Sequence, residues 1–263
     1  KRVVANVHSG WKGTLQRISI EAVKKMKEEY KMTAIAIITA RGGSKRIPHK
    51  NRKEFCGKPI IEYSIEAAKQ AGIFDTVMVS TDDNKIAEIA KNTGAEVPFM
   101  RSAETSNDYA TTADVLMEVL EKYKERGIRY ENACCIYPTA PFVTGNKLRQ
   151  AMEMLGNEKK ESVIPVVPFS FPPLRGMVIN DGKLEYKWQE YAMKRSQDLE
   201  EIYHDCGQFY VFRVESFEKE KKLVTDNTAG MIISELEVQD IDNETDWELA
   251  EMKYRLLKEK GRL

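Results

Sequence analysis

The chain is poor in the residues that would mark several kinds of protein. Its 263 residues include three histidines and four cysteines. His8, His49 and His204 are too scattered to argue a metal site, and they build no Ser-His-Asp constellation. Cys56, Cys134, Cys135 and Cys206 form no Cys-x-x-Cys pair. Cys134 and Cys135 are adjacent in an apolar run, and neighbours on a strand point to opposite faces. That spacing suits neither a zinc site nor a disulfide framework, so buried free thiols in a reducing compartment are expected. No run of about 18 apolar residues occurs, so no membrane span is expected. The N-terminus has no signal-peptide apolar region, which makes the cytoplasm the expected location. An excess of one charge is lacking too: Lys plus Arg is 41 and Asp plus Glu is 41. A nucleic-acid-binding domain is normally clearly basic, so no nucleic acid partner is expected. Neither G-x-x-x-x-G-K-[ST] nor G-x-G-x-x-G is present, which removes the two commonest phosphate-loop fingerprints.

What is present reads as a large α/β domain. Apolar residues make up 42% and charged residues 31%, within the range of globular proteins. Residues 33–39 are a short apolar run, the pattern of a fully buried strand. A Gly-rich loop follows. Ile60, Ile61, Ile65 and Ala68 then recur at helical spacing behind Pro59, and Gly72 closes that helix. Residues 76–80 are strand-like, Asp82 or Asp83 caps a helix through Lys91, and residues 96–100 read as a third short strand. A helix is predicted from Thr111 or Thr112, a central strand over 133–137, a helix over 144–155 and a strand over 162–167. This order argues for a mostly parallel sheet with helices on both faces. Residues 168–202 break the alternation, with Asp181-Gly182 as a hairpin signal between two β-like runs. Strands over 208–214 and 232–238 and a charged closing helix over 243–258 complete the domain. Residues 1–31 stand apart from this alternation as an N-terminal extension, with Met32 just before the first strand of a domain spanning 32–263.

In open α/β sheets ligands bind at the carboxyl ends of strands. The unusual residues lie there. Ala40-Arg-Gly-Gly-Ser-Lys-Arg-Ile-Pro-His-Lys-Asn51 puts Arg41, Lys45, Arg46 and Lys50 directly after a buried strand. Gly42 and Gly43 let the backbone approach a ligand, and successive N–H groups can cradle an anion. A triphosphate needs both features. Asp240 and Asp242 are two apart and share one face of an extended segment. Paired carboxylates suit Mg²⁺, although a helix N-terminus with Asp242 or Asn243 as cap accounts for the same spacing. Ser80-Thr-Asp-Asp83 and Pro138-Thr-Ala-Pro141 end further strands, where helix capping and a rigid turn, respectively, explain them more readily than a ligand does. Gln208 and Tyr210 lie two apart on a predicted strand and suit sugar hydroxyl and amide groups. Arg195 suits a carboxylate, which a guanidinium grips with two bonds.

These motifs, in this order, resemble the CMP-sialic acid synthetase family over residues 32–263. Tyr137-Pro-Thr-Ala-Pro-Phe142, Arg195-Ser-Gln-Asp-Leu199 and His204-Asp-Cys-Gly-Gln-Phe-Tyr210 are similar to its pseudaminate branch. The resemblance implies a nucleotide-diphosphosugar transferase-like fold and a homodimer whose 168–202 excursion reaches the partner's site. It implies CTP and a nonulosonic acid as substrates and Mg²⁺ as cofactor, held by Asp240 and Asp242. It puts Ala40, Arg41, Gly42, Gly43, Ser44 and Lys45 at the CTP phosphates, with Lys50 and Asn51 close by. Arg101 and Thr112 would border the nucleotide, and Arg195, Gln208 and Tyr210 would face the sugar. Lys45, Arg41 and Asp242 are the expected catalytic residues. Tyr137 stands where the family more often has Gln, so that contact is not carried over. The sister substrates are N-acetylneuraminic, legionaminic and 3-deoxy-manno-octulosonic acid, and the reading of another class is a non-catalytic nucleotide-sugar-binding module. Within the extension, Val4-Ala-Asn-Val-His-Ser-Gly-Trp-Lys-Gly-Thr14 resembles a signature of the laccase-domain family. His8 would be the ligand there, but the family's other ligands are missing, so an inert appendage is expected.

Overall fold

The computed structural model describes residues 33–44, 46–157 and 160–263. The predicted extension 1–31 and Lys45 lie outside the described residues. Strand β1 (Ala34–Thr39) is buried on both faces, as its unbroken apolar run requires. A loop with a short turn at Lys50–Arg52 leads to a small hairpin, β2 (Glu54–Phe55) and β3 (Lys58–Pro59). Helix α1 (Ile60–Ala71) buries Ile60, Ile61, Ile65 and Ala68 and stops at Gly72, whose φ of 65° is left-handed. Strand β4 (Thr76–Ser80) precedes α2 (Asn84–Asn92), which Asp83 caps by accepting from the Lys85 and Ile86 amides. The strand predicted over 96–100 does not form. Glu96 makes one isolated bridge with Met78, and Pro98, which has no N–H, cannot carry the ladder on.

After the short α3 (Ala103–Ser106), α4 (Thr112–Glu125) starts with a reciprocal capping box between Thr111 and Asp114. Strand β5 (Asn132–Ile136) is buried throughout, and α5 (Gly145–Asn157) and β6 (Ser162–Pro168) follow. The predicted hairpin is present as β7 (Met177–Asn180) and β8 (Lys183–Tyr186), off the main sheet. Its turn residues Asp181 and Gly182 both have positive φ, 50° and 77°. Then come β9 (Tyr203–Asp205), β10 (Phe209–Arg213), α6 (Val214–Glu220), β11 (Thr228–Ile232) and α7 (Glu244–Glu259). The predicted strand over 232–238 is corrected to Thr228–Ile232. Ile233 makes the last bond of that ladder, to the Val166 carbonyl. The next donor on that edge of β6 would be Pro168, which has none. The chain turns instead, at Glu235–Glu237.

The main sheet runs β11-β6-β10-β5-β1-β4, with β9 added beside β6. β4, β1 and β5 are parallel, as are β6 and β11. β10 runs against both of its neighbours, and β9 runs against β6. The sheet is therefore mixed, with most strands in one direction. Ala36, Ile38, Cys134 and Ile136 face α1, α2 and α5. Ile35, Ile37, Ala133 and Cys135 face α4 and α6. Cys134 and Cys135 thus sit on opposite faces, and all four cysteines are free thiols. Trp247, Ala250 and Leu257 of α7 pack on Phe55, Tyr63 and Phe142 and bring the end of the domain back to the loop after β1. No helix of the described residues is long and apolar enough to cross a membrane.

Candidate active site

The loop after β1 is built to hold its backbone open. The Gly42 amide donates to Asp82 Oδ1 at 2.8 Å. A Cβ on Gly42 would lie 2.8 Å from the Asp83 Cβ, so only glycine lets the loop lie against the start of α2. The acidic pair therefore divides its work: Asp83 caps the helix and Asp82 anchors the loop. Asn51, itself buried, donates from its amide to the Arg41 carbonyl at 2.8 Å. Ile47 is fully buried and pins the middle of the loop, leaving Arg41 and Arg46 to reach outward. Arg41 meets Asp108 at 2.8 Å.

A cavity of about 500 Å³ opens beside this loop. One wall is Arg41, Gly43, Ser44, Arg46, Lys50 and Asn51. A second is Tyr137, Pro138 and Thr139, at the carboxyl end of β5. Gly207 closes a third side, and Gln239 with Asp240 forms the fourth. The cavity thus collects guanidinium and ammonium groups beside the exposed backbone of Gly43 and against an acidic edge, an arrangement suited to a phosphorylated ligand.

The acidic edge follows from strand-like alternation without a strand. Ile241 turns into the core, 1% exposed, and leaves Asp240 and Asp242 turned outward. The Lys50 ammonium donates to the Ile241 carbonyl at 2.5 Å. Its pKa is lowered, chiefly by burial, against the opposing pull of Asp242 and Asp240. Arg46 pairs with Asp242 at 2.6 Å. Asn243 caps α7 reciprocally with Asp246, and Asp246 also accepts from the Asp242 amide at 2.9 Å. The helix N-terminus and the outward carboxylates are therefore both present. Among the described residues no group of three or more His, Cys, Asp or Glu could hold a metal by itself. Two oxygen donors beside an anion cavity do fit a Mg²⁺-type ion, which keeps waters and takes further oxygens from substrate phosphates.

The remaining predicted residues divide. Ala40 is buried, its amide bonded to the Ser80 carbonyl at 3.0 Å. Arg101 is 9% exposed and spends its guanidinium on Ser80, at 3.0 Å to Oγ and 2.6 Å to the carbonyl oxygen. Burial lowers its pKa. Thr112 shares a hydrogen bond of 3.1 Å with the hydroxyl of Tyr137, a wall residue. Tyr210 packs edge-on against Tyr137, with ring centroids 5.6 Å apart, and donates to Asp205 Oδ2 at 2.6 Å. Burial first, and then that bond, hold the Tyr210 hydroxyl well above its ordinary pKa. Gln208 is buried and donates to the Glu237 carbonyl at 2.6 Å. Arg195 is exposed on the excursion, grips Asp198 with two bonds of 2.7 and 2.9 Å, and is not among the cavity-lining residues. Sequence reasoning missed Asp82 as the loop anchor, and it missed Asp205, Glu237 and Gln239 altogether. Asp82 and Asp205 sit inside motifs that were read, but only the fold assigns them partners. Glu237 falls in the stretch predicted as strand, and Gln239 just after it.

The comparisons with known proteins decide what this arrangement belongs to. A family model described as cytidylyltransferase matches residues 35–253. The chain belongs to the cytidylyltransferase family. This cytidylyltransferase is 37% identical over 226 residues to a pseudaminic acid cytidylyltransferase of Campylobacter jejuni subsp. jejuni, covering 86% of this chain and 97% of that one. It is 30% identical over 235 residues to a CMP-N,N'-diacetyllegionaminic acid synthase of Legionella pneumophila, covering 87% of this chain and 99% of the other. Its fold is that of a solved CMP:2-keto-3-deoxy-manno-octonic acid synthetase complexed with CTP, with a TM-score of 0.61 at 18% identity over 86% of this chain and 99% of that one. A second family model, a multi-copper polyphenol oxidoreductase laccase, matches residues 1–50, the region of the laccase-domain resemblance.

Proposed function

We propose that this cytidylyltransferase transfers CMP from CTP to the anomeric hydroxyl of pseudaminic acid and releases pyrophosphate. The observation that carries the reading is the cavity in which Arg41, Arg46 and Lys50 face Asp240 across an open, glycine-lined backbone. The substrate rests on the 37% identity to a protein of that named activity. In this reading Arg41, Gly42, Gly43, Ser44, Lys45, Lys50 and Asn51 hold the triphosphate, and Arg101 and Thr112 shape the nucleotide side through Ser80 and Tyr137. The anomeric hydroxyl oxygen attacks the α-phosphorus, its bond to phosphorus forms as the bond to the β-phosphate oxygen breaks, pyrophosphate leaves in line, and the hydroxyl proton is given up to water. Lys45, Arg41 and Lys50 neutralise the charge that grows on the leaving group. Asp240 and Asp242 would hold Mg²⁺, which when bound supplies charge neutralisation at the phosphate oxygens. Tyr210 and Arg195 belong to the sugar side. The hairpin excursion exposes Phe171, Ile179, Leu184 and Met193, an apolar surface that suits a homodimer. A cytoplasmic enzyme supplying CMP-sugar for flagellin glycosylation agrees with 28% identity to a post-translational flagellin modification protein of Campylobacter coli. Residues 1–31 are an appendage to this activity.

Pyrophosphate release with CTP and Mg²⁺ against a panel of nonulosonic acids tests the reading. Release with pseudaminic acid alone is the expected result. Release with legionaminic, N-acetylneuraminic or 3-deoxy-manno-octulosonic acid instead would keep the chemistry and replace the sugar. No release with any acid from folded protein would leave a nucleotide-sugar-binding module.

A further inference from the structure

The segment that carries the two carboxylates has no strand or helix of its own to hold it. A single turn, Glu235–Glu237, precedes it and α7 follows. Its placement comes from side chains: Lys253 donates to the Val238 carbonyl at 2.7 Å and Lys50 to the Ile241 carbonyl at 2.5 Å, and the largest group of contacts meets at Glu237. The Glu237 carboxylate, 12% exposed, meets Lys147 Nζ at 3.5 Å and the Arg262 guanidinium at 3.3 Å. Lys147, itself buried, also donates to the Phe142 carbonyl at 2.9 Å, at the corner that continues from Pro138 and Thr139. The main-chain carbonyl of Glu237 accepts from Gln208 Nε2 at 2.6 Å. A carbonyl can only accept, so the amide nitrogen is the Gln208 atom that faces it. Gln208 follows Gly207, and its own carbonyl accepts from the Tyr137 amide at 2.9 Å. The Tyr137–Thr139 wall and the Gly207 wall are thereby tied to one residue, and Gln239 and Asp240 of the acidic wall come just after it.

An ammonium and a carboxylate taken out of water gain little net stability from each other. Their value lies in geometry, since a half-made pair is costly and the complete one permits a single arrangement. We infer that Glu237 is a positioning residue which, through Lys147 and Gln208, sets the reach of Asp240 and Asp242 toward the phosphate loop and so governs metal-dependent binding of CTP. This rests on the proposed reading that Asp240 and Asp242 hold the ion. It also moves Gln208 from the sugar to the carboxylate segment: its Nε2 donates to the Glu237 carbonyl and it is 2% exposed, with its Oε1 buried and unpartnered among the described residues.

The test is calorimetric titration of CTP into the full chain with and without Mg²⁺, for the wild type, Glu237→Ala and Gln208→Ala, with KM for the sugar measured alongside. Metal-free affinity, which the loop cations supply, is expected to stay within about twofold. The gain in affinity on adding Mg²⁺ is expected to fall about 10- to 100-fold, the scale of lost outer support to a metal site. The sugar KM is expected to hold. A full Mg²⁺ gain in either variant would overturn the inference, as would an equal loss of metal-free and Mg²⁺-assisted affinity. A rise in sugar KM alone for Gln208→Ala would also overturn it and return that residue to the sugar. Gln208→Ala leaves the buried ion pair intact, so it carries the same expectation where Glu237→Ala fails to fold. A wild type without any Mg²⁺ gain would sink the metal reading itself, a result separable from every variant outcome.

Discussion

Lys50 donates its ammonium to the carbonyl of Ile241 at 2.5 Å and feels the charge of both Asp242 and Asp240. One cation joins the glycine-rich loop near the start of the domain to the acidic segment near its end. Burial disfavours its charged form and lowers its pKa below the ordinary 10.5, while Asp242 and Asp240 oppose that shift. Between the two values the unfolded chain holds more protons at this position than the folded one, so the contribution to stability rises with pH across that window. The stability of the wild type relative to Lys50→Met is therefore expected to increase as pH approaches 10.5, as read by urea denaturation at several pH values. A flat difference would contradict the burial of this ammonium.

Asp240→Asn and Asp242→Asn remove one charge each from the acidic edge without changing its shape. Each is expected to lower kcat/KM about 100-fold, the scale of one preorganised electrostatic contact, with unchanged thermal unfolding. Asp242→Asn also releases Arg46, which meets that carboxylate at 2.6 Å, so CTP affinity in the absence of metal is expected to rise more in this variant than in Asp240→Asn. Steady-state kinetics with metal-free CTP titrations separates them.

Gly42→Ala and Gly43→Ala make a contrast within one loop. A methyl on Gly42 would meet the Asp83 Cβ at 2.8 Å, whereas nothing lies within 4 Å of one on Gly43. The first is expected to cost about 1–3 kcal/mol of stability through overpacking. The second should leave the melting temperature alone and raise KM for CTP, because Gly43 lines the cavity. Equal melting temperatures for the two variants would disprove the close approach.

Tyr210→Phe deletes a buried hydroxyl bonded to Asp205 at 2.6 Å and leaves the ring packed on Tyr137. The expected result is a higher KM for the sugar, about tenfold, with KM for CTP unchanged. A change confined to CTP would assign Tyr210 to the nucleotide instead.

Much of this was legible before the fold was known. The unbroken apolar runs at β1 and β5 announced buried central strands, and Gly72, the Asp82-Asp83 pair and the Thr111-Thr112 pair marked helix ends because capping chemistry is local, with the structure choosing Asp83 and Thr111 as the caps. Asp181-Gly182 announced the hairpin for the same reason, since few residues adopt positive φ in succession. The cation loop was readable because backbone access and positive charge are properties of a short segment. The errors lay where a partner decides. Residues 96–100 and 232–238 have strand-like composition, but Pro98 and Pro168 deny them a ladder, and only pairing makes a strand.

The sequence by itself determined the elements that depend on near neighbours, the position of the glycine-rich cation loop after the first strand, and membership of the cytidylyltransferase family. Only the tertiary structure decided that β10 runs against its neighbours, that Asp82 rather than Asp83 anchors Gly42, and that Gln208 turns to Glu237. Those outcomes depend on donors and acceptors tens of residues apart, each choosing among many partners of the same chemistry. Local sequence sets which groups need a bond, and the packing of distant segments sets which bond they make.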